Sequence, residues 1–145
     1  MLSPVSGRSL AVSDVPDPVF ASGLVGPGVA IDPEAGPQTA VAPVAGRLVR
    51  LLPHAFLIRT APGPAILVHL GIDTVQLQGA GFTLHASQDD DVPAGAKIVS
   101  WDPDAVVRGG RSPVCAVILL DCDAPLTFLA DGTVRAGRPV FSVDC

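Results

Sequence analysis

Positive charge is what this sequence has least of. It holds nine basic residues against fourteen acidic ones, a net charge of −5 at pH 7, and a single lysine, Lys97. Nucleic-acid binding rests on clustered Lys and Arg that displace condensed counterions, so that class of partner is excluded. An acidic balance of this size suits solubility and a basic protein partner. Long apolar runs are missing too: AVILL at 116–120 falls far short of the roughly 20 residues a bilayer-crossing helix needs. The opening MLSPVSGRSL has neither the basic start nor the sustained apolar centre of a secretory signal. The expectation is therefore a cytoplasmic chain without direct membrane insertion. Cys115, Cys122 and Cys145 make an odd count with no CxxC pair, which predicts reduced thiols instead of a disulfide framework or thiolate zinc site. No GxxxxGK phosphate cradle occurs, and GPG at 26–28 reads as a turn.

What is present is apolar residue (48%) punctuated by 15 Gly and 15 Pro. Proline at that density breaks long helices, because each ring removes an amide donor and clashes with the preceding turn. The chain, 1–145, reads as one domain built from short strands. Strands are expected near 9–12, 28–32, 47–51, 55–59, 65–70, 82–85, 97–101, 114–120 and 138–143. One helical turn is expected at 103–108, capped by Asp102 with Pro103 in the first position, and PEAGPQT at 33–39 reads as a surface loop. Two echoes stand out. SPVSGRSLAV at 3–12 returns as APVAGRLVRL at 42–51, and PAGAKIVSWD at 93–102 returns as RAGRPVFSVD at 135–144. They predict a duplicated all-β sandwich or barrel, not a solenoid, because the period does not continue.

The chain has three histidines, and two of them sit where a buried strand should be. His69 interrupts the apolar run of AILVHLGIDTV, and His54 opens HAFLI. The turn APGP at 61–64 makes a hairpin of the two segments, and a turn centred on residue 62 sets His54 nearly opposite His69. Facing imidazoles suit phosphoryl transfer: one neutral ring nitrogen is the nucleophile and the other ring donates a hydrogen bond to the phosphoryl oxygens. They also suit zinc, with Asp73 as a third ligand and one position open. A structural pair of hydrogen-bonded core histidines is the plain alternative. His85, in GFTLHAS, reads as a solvent-facing strand residue.

GPAILVHLGIDTV at 63–75 resembles the active-site signature of the glucose-type enzyme IIA family of the bacterial sugar phosphotransferase system. The likeness continues through VSDVPDPVFASGLVGPGVAIDP at 12–33, VAPVAGRLV at 41–49, PHAF at 53–56 and QLQGAGF at 76–82. The resemblance implies a flattened antiparallel β-barrel sandwich with internal duplication (a duplicated hybrid motif). It implies that His69 is phosphorylated on Nε2 by the histidine-containing phosphocarrier protein and passes the group to a cysteine of an enzyme IIB domain. His54 would orient and stabilise the phosphoryl group. Asp17 and Asp73 would meet basic partner residues, and Val19, Phe20, Leu24, Val25, Phe56 and Val75 would form an apolar docking face. No cofactor is obligatory, although the His54–His69 pair takes zinc in the family when certain regulated targets bind. The chain reads as a free-standing IIA component serving glucose or N-acetylglucosamine uptake. Two departures are visible: Leu52 and Pro53 precede His54 where many members carry a threonine, and Leu67 stands where some carry phenylalanine.

Two other classes compete. A zinc-dependent hydrolase would use His54, His69 and Asp73, but the HxH element of the related zinc peptidases does not occur. A lipoyl-type carrier needs an exposed lysine at a hairpin tip, and Lys97 instead starts a strand.

Overall fold

The computed structural model describes residues 1–23, 26–61, 63–130 and 132–145. The strands are β1 (Gly7–Ala11), β2 (Gly28–Pro33), β3 (Gln38–Val41), β4 (Gly46–Leu52), β5 (Ala55–Arg59), β6 (Ala65–His69) and β7 (Thr83–Leu84). They continue with β8 (Asp91–Val92), β9 (Lys97–Trp101), β10 (Cys115–Leu120), β11 (Thr127–Phe128), β12 (Thr133–Val134) and β13 (Phe141–Ser142). Two short helices, α1 (Pro18–Ala21) and α2 (Pro103–Arg108), complete the elements used below. All the strand pairings are antiparallel.

An eight-stranded sheet runs β12-β1-β2-β10-β6-β5-β4-β8, and a three-stranded sheet runs β3-β9-β7. Alternation along each strand turns one set of side chains inward. Leu48, Phe56, Ile58, Ile66, Val68 and Leu119 from the large sheet meet Ile98, Val99 and Trp101 from the small one in a single core. The eight-stranded sheet ends on β12 and β8 without closing, so the molecule is a flattened β-sandwich.

The duplication is written in hydrogen bonds as well as in sequence. Leu2 N–H donates to Pro43 O at 2.8 Å while Val41 N–H donates to Pro4 O at 2.9 Å, a reciprocal exchange between the first two echoes. Ala42 N–H donates to Ala96 O and Gly95 N–H to Ala42 O; in the other half Ser3 N–H donates to Arg138 O and Gly137 N–H to Ser3 O. The edges match too, Gly7 pairing with Val134 as Gly46 pairs with Val92. A pseudo-two-fold therefore passes between β10 and β6, exchanging the pair Ala116–His69 with the pair Ile118–Leu67. The counterpart of His69 is Ile118, which is fully buried. The frame is symmetric; the histidine is not.

Some expectations need correction. The segment 33–39 is not all loop, because Gln38 and Thr39 begin β3 in register with Trp101 and Ser100. The Gln38 side chain secures this by exchanging two hydrogen bonds with the Ser6 backbone, each 2.9 Å. The strand expected over 138–143 shrinks to β13, since Val140 N–H is taken by Met1 O. Strands β8, β11 and β12 are too short to show a period. Cys122 and Cys145 are joined as a disulfide with Cα atoms 6.1 Å apart, against the expectation of reduced thiols. Pairing of Thr127 with Ser142 and Phe128 with Phe141 turns the C-terminus back beside the chain that leaves β10, which no spacing rule reveals. Cys115 remains free and buried. Helix α2 has the expected cap, Asp104 N–H donating to Asp102 Oδ1 at 3.0 Å.

Ile66 is fully buried on β6, paired with Ile58 on one side and Leu119 on the other. Truncating it leaves a void between central strands, so Ile66→Ala is expected to cost about 2–5 kcal/mol, read from urea denaturation. A loss below about 1 kcal/mol would mean that this core can collapse around the gap.

Candidate functional site: two imidazoles at the end of a hairpin

The hairpin pairs Ala55 with His69 through to Arg59 with Ala65, so His54 lies one residue beyond the position opposite His69. The centre of the expected turn, Pro62, lies outside the described residues. Leu70 N–H donates to His54 O at 2.7 Å, which locks the ends of the two segments together. The two rings stand edge to face with centroids 5.2 Å apart. Phe20, on α1, also lies against His69, with ring centroids 5.5 Å apart.

Position 69 is the last of β6, and the chain then turns sharply. Gly71 has φ of 78°, a left-handed conformation that side chains resist. A Cβ there would come within 2.6 Å of Thr74 Cγ2 and 3.1 Å of Ser112 O. Thr74, fully buried, donates its hydroxyl to Leu70 O at 2.7 Å, and Ile72 N–H donates to Ser112 O at 2.9 Å. This folded-back loop aims Gly71 O at His69 Nδ1, 2.5 Å away. A carbonyl oxygen can only accept, so Nδ1 carries the proton and Nε2 keeps its lone pair.

Burial lowers the pKa of both imidazoles, because a charged ring loses hydration there. For His54 the neighbouring His69 adds to the effect. For His69 the Gly71 hydrogen bond and the carboxylates of Asp17 and Asp73 oppose it, and the lowering prevails. Both rings are held neutral near pH 7. His54 is 9% exposed and His69 is half-buried, open on one side. The His54 ring makes no hydrogen bond among the described residues, in keeping with Leu52 and Pro53 before it.

Each predicted site residue can be placed. Asp17 caps α1, accepting from Val19 N–H at 2.9 Å, while its charge acts on His69. Asp73 begins the turn Thr74–Leu77 and also acts on His69. Val19 and Val75 are exposed by 56% and 59%, unusual for valine. Val15, Ala30 and Ile72 form a small second core that packs Phe20 and Val12, and so pins the segment carrying α1 beside His69. Leu24 and Val25 lie outside the described residues. Phe56 must be removed from the docking face: it is 1% exposed. It pairs with Val68, and a strand that points Val68 inward points His69 outward. That parity was available in the sequence. The Gly71 carbonyl and the Thr74 hydroxyl were not singled out, although both residues stand inside the HLGIDT motif.

Among the described residues no three His, Cys, Asp or Glu side chains converge to hold a metal ion, so His54, His69 and Asp73 do not assemble the site a hydrolase would need. Lys97 opens β9 with an exposed side chain. His85 is exposed and bonded to Ser100 Oγ at 2.5 Å.

A flattened β-sandwich with two histidines at one end of a central hairpin is the arrangement to compare with solved structures. The chain is similar to the glucose permease IIA from Mycoplasma capricolum, at a TM-score of 0.89 with 36% identity over 97% of this chain and 92% of that one. The family model for the phosphoenolpyruvate-dependent sugar phosphotransferase system, EIIA 1, matches residues 1–124, and the chain belongs to that family. It is 39% identical to the glucose-specific EIIA component of Halalkalibacterium halodurans over 87% of this chain and 73% of that protein. It is 38% identical to the N-acetylglucosamine-specific EIICBA component of Klebsiella pneumoniae over 99% of this chain and 22% of that longer protein. No helix of the described residues is long and apolar enough to cross a membrane.

The lowered pKa values have a consequence for stability. Below the ordinary imidazole value of 6.5 the unfolded chain takes up protons that the folded rings resist. Their contribution is complete above pH 6.5 and is lost as pH falls below it. NMR titration is expected to place both midpoints under 6.5. The His54→Asn, His69→Asn double variant should lose less stability between pH 7 and 5 than the parent. Midpoints at or above the ordinary value would contradict the neutral pair.

Proposed function

We propose that this domain is a phosphocarrier, accepting a phosphoryl group on His69 Nε2 from the histidine-containing phosphocarrier protein and delivering it to a cysteine of an enzyme IIB domain. The observation that carries this reading is the bond from His69 Nδ1–H to Gly71 O, which leaves the Nε2 lone pair of a neutral, half-buried ring free beside a second imidazole. Nε2 attacks the phosphorus of the donor's phosphohistidine. A nitrogen–phosphorus bond forms as the donor's breaks, and the bonding pair returns to the donor ring. The phosphorylated ring of His69 bears substituents on both nitrogens and is cationic, a charge that the Gly71 carbonyl and the Asp17 and Asp73 carboxylates stabilise. In the second step a thiolate displaces the ring, which returns to its neutral form with the Nδ1 proton still in place. His54, with its nitrogens uncommitted, donates to the equatorial phosphoryl oxygens. Positioning and charge stabilisation supply most of the rate in such transfers.

Val19, Phe20 and Val75 would seat both partners, and Asp17 and Asp73 would meet their basic residues. The relatives named as EIICBA components join an A domain to B and C components in one chain, which supports a IIB domain as the acceptor. Glucose or N-acetylglucosamine is the sugar served, and the cytoplasm is the compartment in which these partners would be met. Phosphorylation places negative charge on an apolar face, so the same surface could dock regulated targets in one state and release them in the other. Zinc fits only in part. His54 and His69 offer two nitrogen ligands, and a third would have to come from such a target.

Incubation with phosphoenolpyruvate, the system's first enzyme and the carrier is expected to add one phosphoryl mass. His69→Ala should abolish it. His54→Ala keeps the nucleophile but removes the oxygen-facing donor, so transfer should slow by about 10²–10³-fold. An unmodified parent protein would overturn the assignment.

A further inference from the structure

Among the described residues four arginines are ion-paired: Arg47 with Asp89, Arg59 with Asp121, Arg108 with Asp102 and Arg135 with Glu34. Arg8, Arg50 and Arg138 are exposed. Arg111 fits neither group. It is half-buried, and its guanidinium is held by neutral acceptors alone: Nε and Nη2 donate to Gln76 Oε1 at 3.3 and 3.2 Å, and Nη1 donates to Gly109 O at 3.1 Å. Its backbone is fixed as well. Arg111 N–H donates to Val106 O on α2, and the next residue, Ser112, accepts from Ile72 in the His69 loop.

The group lines a recess of about 390 Å³ together with Asp73 and Gln76. Asp73 and Gln76 begin and end one turn of the segment that follows His69, so the recess adjoins the phosphoryl site. Opposite charges thus share one cleft without forming an ion pair. Asp73, whose charge acts on His69, lines this recess with Arg111, so the guanidinium belongs to the surface beside the phosphoryl site. A planar fork with five N–H donors, three of them spent on bracing, has two left to present outward. Two N–H groups on a rigid plane match a carboxylate. Bracing reduces the entropy lost on capture.

We propose that Arg111 is a specificity-determining docking residue that accepts an acidic side chain of a phosphotransfer partner, beside the basic side chain that Asp73 attracts. This rests on the phosphocarrier reading and adds a second, oppositely charged contact to it. A partner with this surface carries a carboxylate next to its basic residues. One with basic charge alone is repelled at Arg111, so the pair of charges selects among carriers with similar apolar faces.

The test is steady-state transfer from the phosphorylated carrier protein to this protein, and from this protein to a IIB domain, at two salt concentrations. Parent, Arg111→Gln, Arg111→Glu and Gln76→Ala are compared, with thermal unfolding as the check on folding. Arg111→Glu is expected to lower kcat/KM about tenfold with at least one partner, through KM, leaving kcat unchanged. Arg111→Gln should fall less and lose part of the salt dependence. Gln76→Ala, which frees the guanidinium but keeps its charge, should retain that dependence. If Arg111→Glu unfolds, Arg111→Gln carries the test through its salt response. Labelled parent protein with Arg111 variants within twofold of it on both partners would overturn this inference alone. An unlabelled parent would overturn the phosphocarrier reading and this inference with it.

Discussion

The hydrogen bond from His69 Nδ1 to the Gly71 carbonyl is the contact on which the site depends. It sets the tautomer, holds the ring's orientation and leaves Nε2 as the free nitrogen. Everything around it serves to bring that carbonyl to the ring. Gly71 adopts a left-handed backbone, Thr74 returns a hydroxyl to Leu70 O, and Ser112 takes the amide of Ile72. The motif HLGIDT is thus one mechanical unit. Its glycine and threonine act on the histidine through the backbone.

The frame beneath this unit is a duplicated sheet whose halves are related across β6 and β10. Duplication supplies matching ladders, edges and cross-strand exchanges. It does not supply the site. In one half the position is His69, at the end of a strand and half-exposed; in the other it is Ile118, inside the ladder and fully covered. The asymmetry arises because the segment carrying α1, the second small core and the Gly71 loop are added at only one end. Apolar burial around the rings keeps them neutral, while the carboxylates of Asp17 and Asp73 favour positive charge on His69.

How much of this could be read from residue order varied with distance along the chain. The hairpin register came within a residue, because one short turn joins β5 to β6 and leaves little freedom. Helix α2 and its Asp102 cap were legible for the same reason, since capping is a contact between near neighbours. The duplicated plan followed from the echoes themselves. Errors came where distant segments meet. Gln38 and Thr39 join a strand because β9 lies beside them, and Cys122 reaches Cys145 because β13 folds back onto β11. Phe56 was assigned to the surface although strand parity sends it inward with Val68.

The amino-acid order by itself determined the strand-rich plan, its repetition, the hairpin that brings two histidines together and the signature around His69. These depend on local turn chemistry and on alternation, which act over a few residues. Tertiary structure alone decided which nitrogen is free, how buried each ring is, which valines face outward and where Arg111 points. Those outcomes depend on Ser112 holding the Gly71 loop folded back, and on a carboxylate and a ring contributed by Asp17 and Phe20, residues far from His69 in sequence and adjacent only once the sheet has formed.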